Sequence, residues 1–357
     1  MINDPEHILT FQQQLTCWYR NSHRKLPWRE SKNPYHVWIS EVMLQQTQVK
    51  TVLPYFFNFI EKFPTIRDLA DADLEIVLKM WEGLGYYARA RNFHKAANIV
   101  SKEFNGHIPD NFQTFLTLPG VGDYIGSAVL SIVFSHPLAV VDGNVKRVLA
   151  RLFCLDHPVN ASSSHPFFKA WAQTLLDKTD PGTFNQAVME LGAMICTPKK
   201  TQCSLCPVSE WCNSFTTHTV NDYPKRVTSR PVPTYHIAAG VVQKNKKILI
   251  TRRKLDGLLG GLWEFPGGKL KKDETAKDAC IREIKEETGI TVTVASHLTT
   301  VHHAYTHFKI IMDVFYCRFI QGKVHLNGPI DYRWVSVKEL NNFAFPKANL
   351  KFIPYLE

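Results

Sequence analysis

Nowhere does the chain hold an apolar run near the roughly twenty residues a helix needs to cross a bilayer. Its start, Met1-Ile2-Asn3-Asp4-Pro5-Glu6-His7, has neither the basic opening nor the apolar core of a secretion signal. These absences argue against a membrane-spanning or exported protein, and a cytoplasmic, membrane-free existence is the expectation. An acidic surplus is missing too: 42 Lys and Arg stand against 32 Asp and Glu, a formal net charge of +10. The imbalance is local. Residues 1–224 carry 20 basic and 20 acidic side chains, whereas residues 225–357 carry 22 and 12, so a polyanion suits the second half. With 45% apolar and 21% charged residues the composition is that of an ordinary globular protein, and 357 residues suffice for two cores.

What the chain does contain is concentrated in Leu116-Thr117-Leu118-Pro119-Gly120-Val121-Gly122-Asp123-Tyr124-Ile125-Gly126. One apolar segment stops at Pro119-Gly120 and another begins after Gly122, which describes two helices joined by a tight hairpin. Glycines on both sides of Val121 let backbone amides approach a phosphate, and the second helix adds partial positive charge there. Some twenty residues on, Asp142 precedes an amphipathic segment from Asn144 to Phe153, where a carboxylate faces whatever the hairpin grips or serves merely as an N-cap.

Upstream, Asn33-Pro34 supplies a cap and first-turn proline for a helix expected from Tyr35 to about Val52. On it Glu41 shares a face with Val37, Trp38 and Leu44. It is either a surface glutamate or a buried carboxyl whose raised pKa holds a proton near neutrality. Cys196, Cys203, Cys206 and Cys212 fall within 17 residues, a spacing for metal rather than disulfides, and it suits zinc or an iron-sulfur cluster. Cys17, Cys154, Cys280 and Cys317 lie singly in apolar surroundings and read as core residues. After Cys212 the pattern dissolves into Ser, Thr, Asn and Pro, a connector that ends near Pro233. Strand-like runs follow at His236–Val242, Lys247–Thr251 and Phe308–Phe319. Between them Glu283, Glu286 and Glu287 recur on one helical face, either as a hard-oxygen cluster for Mg2+ or as a solvated charged surface.

The hairpin string and its following aspartate resemble the endonuclease III superfamily of DNA glycosylases. Members that also cut the strand carry a lysine where this chain has Tyr124, because a Schiff base needs an amine. The resemblance therefore narrows to the MutY-type adenine DNA glycosylases. It implies a multi-domain chain: an all-α helix-hairpin-helix glycosylase domain over 1–220 with a 4Fe-4S loop at 196–212, a linker at 221–231, and an α+β Nudix-like domain over 232–357. The implied reaction is removal of adenine paired with 8-oxoguanine or guanine in duplex DNA by a monomeric enzyme that leaves the strand intact. Glu41, in a string matching the family's acid motif, corresponds to the catalytic acid and Asp142 to the group that stabilises the sugar cation, with Tyr124 and Asn144 in support. Trp28 and Arg29 line the adenine pocket, Gln46 and Tyr86 enter the base stack, and Gly120, Val121, Gly122, Lys146 and Arg147 hold DNA. Lys199 and Lys200 face phosphates from the cluster loop. Tyr305, Thr306 and His307 match the loop that touches 8-oxoguanine, with Thr for Ser and Tyr for Phe. Gly268, Glu274, Arg282 and the three glutamates complete an uneroded Nudix box, which leaves Mg2+ binding and hydrolysis of an oxidised nucleoside triphosphate open as an alternative for the C-terminal domain.

Overall fold

The computed structural model describes residues 4–228 and 231–356, so residues 229 and 230 of the linker lie outside it. In chain order it forms helices α1 (Pro5–Ser22), α2 (Pro27–Glu30), α3 (Pro34–Leu44), α4 (Val49–Lys62), α5 (Ile66–Asp71), α6 (Leu74–Met80), α7 (Ala88–Glu103), α8 (Phe112–Leu116), α9 (Asp123–Phe134), α10 (Gly143–Leu152), α11 (His165–Leu175), α12 (Pro181–Met194) and α13 (Asn213–Thr216). Strands β1 (Thr234–Lys244), β2 (Lys247–Arg252), β3 (Trp263–Glu264) and β4 (Gly267–Lys269) lead into helix α14 (Ala276–Thr288). They are followed by β5 (Thr291–Ala304), β6 (Lys309–Gln321), β7 (Asp331–Val335) and α15 (Lys347–Leu350).

These elements form two compact units. The first comprises residues 1–56, 60–70 and 95–229; the second comprises 57–59, 71–94 and 230–357. In the first, α12 packs against α1, α9 and α10, and α3 packs against α9. The core draws Phe11 and Leu15 from α1, Val145 and Leu149 from α10, Phe184 and Leu191 from α12 and Phe168 from α11, and Trp38 meets Phe115 edge-on at 4.9 Å. In the second, the sheet runs β3-β2-β1-β6-β5, with β1 and β6 parallel and the other neighbours antiparallel; β4 pairs with β1 and β7 with β2. Helix α14 covers one face over Cys280, Ile284 and Val292, while Phe345 and Phe352 close the other.

Two expectations need correction. The helix expected from Tyr35 to Val52 breaks after Leu44, because Gln46 adopts a left-handed φ of 57° before α4 begins. Cys17 is exposed rather than in the core, since α1 turns Phe11, Leu15 and Tyr19 inward; Cys154 is half-buried. Residues 71–94 associate with the C-terminal unit, a long-range pairing with no local signal. There the Arg91 guanidinium donates to the carbonyls of Gly260 (2.7 Å) and Gly257 (3.3 Å), the Trp263 indole donates to Glu75 (2.5 Å), and Glu82 accepts from the Phe345 amide (2.8 Å).

Candidate active site

Helix α3 starts on the Asn33 cap and Pro34 and buries nearly all of its residues, Glu41 among them. It is 5% exposed, and burial lifts its pKa to about 7. The Tyr124 hydroxyl, from the first turn of α9, donates to Glu41 Oε2; this hydrogen bond and Arg29 restrain the rise, while Asp142 adds to it. Near neutrality a buried carboxyl of that pKa carries a proton for a large part of the time. Tyr124 itself is driven well above the ordinary phenol value by burial and by the two carboxylates beside it.

Asp142 caps α10. Its Oδ1 accepts from the Val145 amide at 2.7 Å and its Oδ2 from the Asn144 side chain at 2.9 Å. Burial raises its pKa, whereas these two donors and Arg147 lower it. The N-terminus of α10 favours the anion as well. Asn144 is held in turn by the Arg147 guanidinium at 2.8 Å, which also donates to the carbonyls of Gly192 (2.7 Å) and Cys196 (2.8 Å). Arg147 is thus corrected from a DNA contact to an internal brace: it is 6% exposed, because three acceptors inside the fold consume its donors. Lys146 is half-buried and points toward the Val159 carbonyl at 3.4 Å.

Glu41 and Asp142, 101 positions apart in the chain, line one cavity of about 490 Å³ together with Trp28, Arg29, Tyr124 and Asn144. That volume is in the range that encloses a small organic ligand. The wall also holds Glu190, which the sequence reading passed over. Its side chain is fully buried on α12 and accepts from Arg24 (2.8 and 2.6 Å) and Arg29 (2.7 Å). Burial pushes its pKa up, but the hydrogen bonds and charge of the two arginines overcome this and hold it at about 2. Of the three carboxyls in the cavity, Glu41 is therefore protonated for much of the time near neutrality, Glu190 stays ionised, and Asp142 lies between burial that raises its pKa and donors that lower it. Glu190 was detectable by the signal that marked Glu41, since Ala187, Ala193 and Met194 stand one turn away on its face of the helix.

The hairpin turn between α8 and α9 leaves Gly120 (φ 80°) and Gly122 exposed while Val121 is buried, so the backbone faces solvent. Gln46 also stands exposed. The four clustered cysteines line one apolar recess with Val148, Leu152, Leu191 and Val208, and the Arg151 guanidinium donates to Cys196 Sγ at 3.3 Å. Among the described residues no three His, Cys, Asp or Glu side chains converge on a single point. Burial pushes the Cys206 thiol up to about 12, and the neighbouring Cys196, Cys212 and Cys203 add to the rise. Lys199 and Lys200 lie exposed on this loop.

In the second unit the Tyr305-Thr306-His307 loop joins β5 to β6. The Tyr305 ring turns inward and stacks on Phe308 at 4.7 Å, whereas Thr306 and His307 are exposed, with Thr306 hydrogen-bonded to the Tyr86 hydroxyl. Of the two readings of Glu283, Glu286 and Glu287, the charged face describes their arrangement here, since among the described residues they do not converge on one point. Arg282 binds Glu274 (2.6 Å), Glu283 (2.6 Å) and Glu286 (3.0 Å), while Glu287 turns away to accept the Gly267 amide at 3.1 Å. The three glutamates share a helical face, but the arginine draws two of them to itself.

Residues 39–171 match the HhH-GPD superfamily of base excision DNA repair proteins, and residues 237–355 match the NUDIX domain. The adenine DNA glycosylase of Mus musculus is 34% identical over 406 residues, covering 98% of this chain and 78% of its own. The chain belongs to the adenine DNA glycosylase family. That of Buchnera aphidicola from Schizaphis graminum is 31% identical, covering 97% of this chain and 98% of its own. A solved thermostable thymine-DNA glycosylase is 28% identical with a TM-score of 0.54, covering 59% of this chain and 97% of its own. The chain is an enzyme of base excision repair with a helical glycosylase fold and a mixed-sheet Nudix domain. The described residues contain no helix long and apolar enough to cross a membrane.

Proposed function

We propose that the chain removes adenine paired with 8-oxoguanine, or with guanine, from duplex DNA by hydrolysing its N-glycosidic bond, and that it leaves the strand uncut. The observation that carries this reading is a single cavity into which Glu41, its pKa lifted to about 7 by burial, and a hydrogen-bonded Asp142 both open. A base must leave the stack before a side chain reaches it, and the cavity volume suits one extruded purine. Glu41 donates its proton to the departing adenine, with Tyr124 holding the acid. Asp142, whose oxygens are fixed by Val145 and Asn144, faces the cationic sugar as an ion partner or by a transient covalent bond. Trp28, Arg29 and Glu190 shape the pocket around the base.

The hairpin at Gly120–Gly122 grips the backbone without reading sequence, and Gln46 and Tyr86 offset the unstacking cost of a few kcal/mol. Thr306 and His307 contact 8-oxoguanine from residues 232–357, while residues 1–220 carry out the chemistry. Cys196, Cys203, Cys206 and Cys212 hold one 4Fe-4S cluster, which supplies a rigid loop rather than a reaction step. The protein acts as a monomer in the cytoplasm. The decisive assay follows adenine release from a duplex with adenine opposite 8-oxoguanine. Glu41→Gln and Asp142→Asn each abolish release while duplex binding survives, and product strands break only after heat or alkali. Wild-type turnover in either variant removes the mechanism.

A further inference from the structure

Between α9 and α10 residues 137–141 reach Asp142 without forming a helix or a strand. Side chains satisfy their backbone instead. Gln173 takes the Ala139 amide (3.0 Å) and the Pro137 carbonyl (2.9 Å), and Asn185 takes the Val140 amide (2.9 Å) and the Leu138 carbonyl (2.8 Å). The remaining Ala139 carbonyl accepts from Lys169 at 2.6 Å. The same ammonium bonds both oxygens of Asp123 (3.0 and 2.9 Å) and the Ser127 hydroxyl (2.8 Å), all on α9. Asp123 precedes Tyr124, the donor to Glu41; Ala139 lies three residues before Asp142.

From this junction we infer that Lys169 is a positioning residue that fixes the separation between the Glu41–Tyr124 side of the cavity and the Asp142 side. The inference rests on the roles proposed above for those two carboxyls. An ammonium suits the task because three N–H bonds diverge from one atom, which a glutamine cannot reproduce. Asp123 supplies the countercharge, with His165 at 3.2 Å as a second partner. Lys169 touches neither reacting carboxyl, and its effect passes through the backbone it holds. Displacing a catalytic group by about 1 Å costs on the order of 100-fold in rate.

The test uses the full chain with its cluster loaded, a duplex with adenine opposite 8-oxoguanine, and a non-cleavable analogue duplex for affinity. Lys169→Met slows single-turnover adenine release by about 10-fold to 100-fold, with the dissociation constant of the analogue duplex within about threefold of wild type, a window chosen far below a tenfold, 1.4 kcal/mol change. Because Lys169→Met also leaves Asp123 without its partner, the double variant Asp123→Asn/Lys169→Met is measured alongside. Its melting temperature returns toward wild type while release stays slow. Wild-type release rates in either variant, or a rate that recovers together with stability in the double variant, overturn the inference. If Glu41→Gln or Asp142→Asn still releases adenine, the underlying mechanism fails instead, whatever Lys169 does.

Discussion

Glu41 and Glu190 are both buried glutamates on helices of the same unit, yet their surroundings set them more than four pKa units apart, at about 7 and about 2. A Glu41 pKa raised above 4.5 means that its contribution to stability is complete below 4.5 and fades as pH rises through about 7. Adenine release should follow the same limb, falling about tenfold per pH unit above 7 in single-turnover profiles. Glu41→Gln should be inactive yet resist unfolding better than wild type at pH 8 to 9, read by thermal melts. Glu190 has the opposite sign: its depressed pKa adds stability above 4.5 that disappears as pH falls through about 2. Removing one partner of a buried ion pair costs roughly 3–5 kcal/mol, so Glu190→Gln should lower denaturant stability by about that amount. An unchanged midpoint would mean that Arg24 and Arg29 find other partners.

Among the elements, the contact between α10 and α12 is the tightest near the chemistry. A Cβ on Gly192 would stand 2.7 Å from Asn144 Cβ and 3.2 Å from its backbone. Gly192→Ala therefore pushes the N-terminus of α10, and with it Asp142, away from the cavity. Release should slow by on the order of tenfold or more while the cluster loop stays loaded, checked by single-turnover rates and iron content. Helix type was largely readable from the chain, because the Pro119-Gly120 stop and the Asn33-Pro34 start are local signals. The interruption at Gln46 was not, since apolar periodicity continues through it and only the three-dimensional path requires the left-handed turn. Arg147 misled for a related reason: a basic residue beside an active-site aspartate looks like a phosphate ligand, and its acceptors at Gly192 and Cys196 lie 45 and 49 positions away.

At the scale of the whole molecule, the charge surplus of residues 225–357 and the two family matches agree with a division of labour along the chain. The compact units do not follow that division, since 71–94 clusters with the C-terminal residues. Ending the chain near residue 229 should raise amide exchange across 71–94 well above that of α10 and α12, measured by mass spectrometry. It should also weaken discrimination between 8-oxoguanine and guanine opposite adenine, because Tyr86 loses Thr306. Uniform protection in the truncated chain would show that 71–94 is stable without those contacts. Cys203→Ser should yield a chain depleted of iron, and a colourless, zinc-stoichiometric wild-type preparation would contradict the cluster.

The interleaving of 71–94 with residues beyond 230 also imposes an order on biosynthesis. Arg91 and Glu75 leave the ribosome long before the carbonyls of Gly257 and Gly260 and the Trp263 indole exist to receive them. At roughly 5–20 residues per second that interval is on the order of ten seconds. During that interval a nascent helical body carries an unfinished surface, so a defect in translating or folding the carboxyl end would be felt as proteolytic nicking around residue 80.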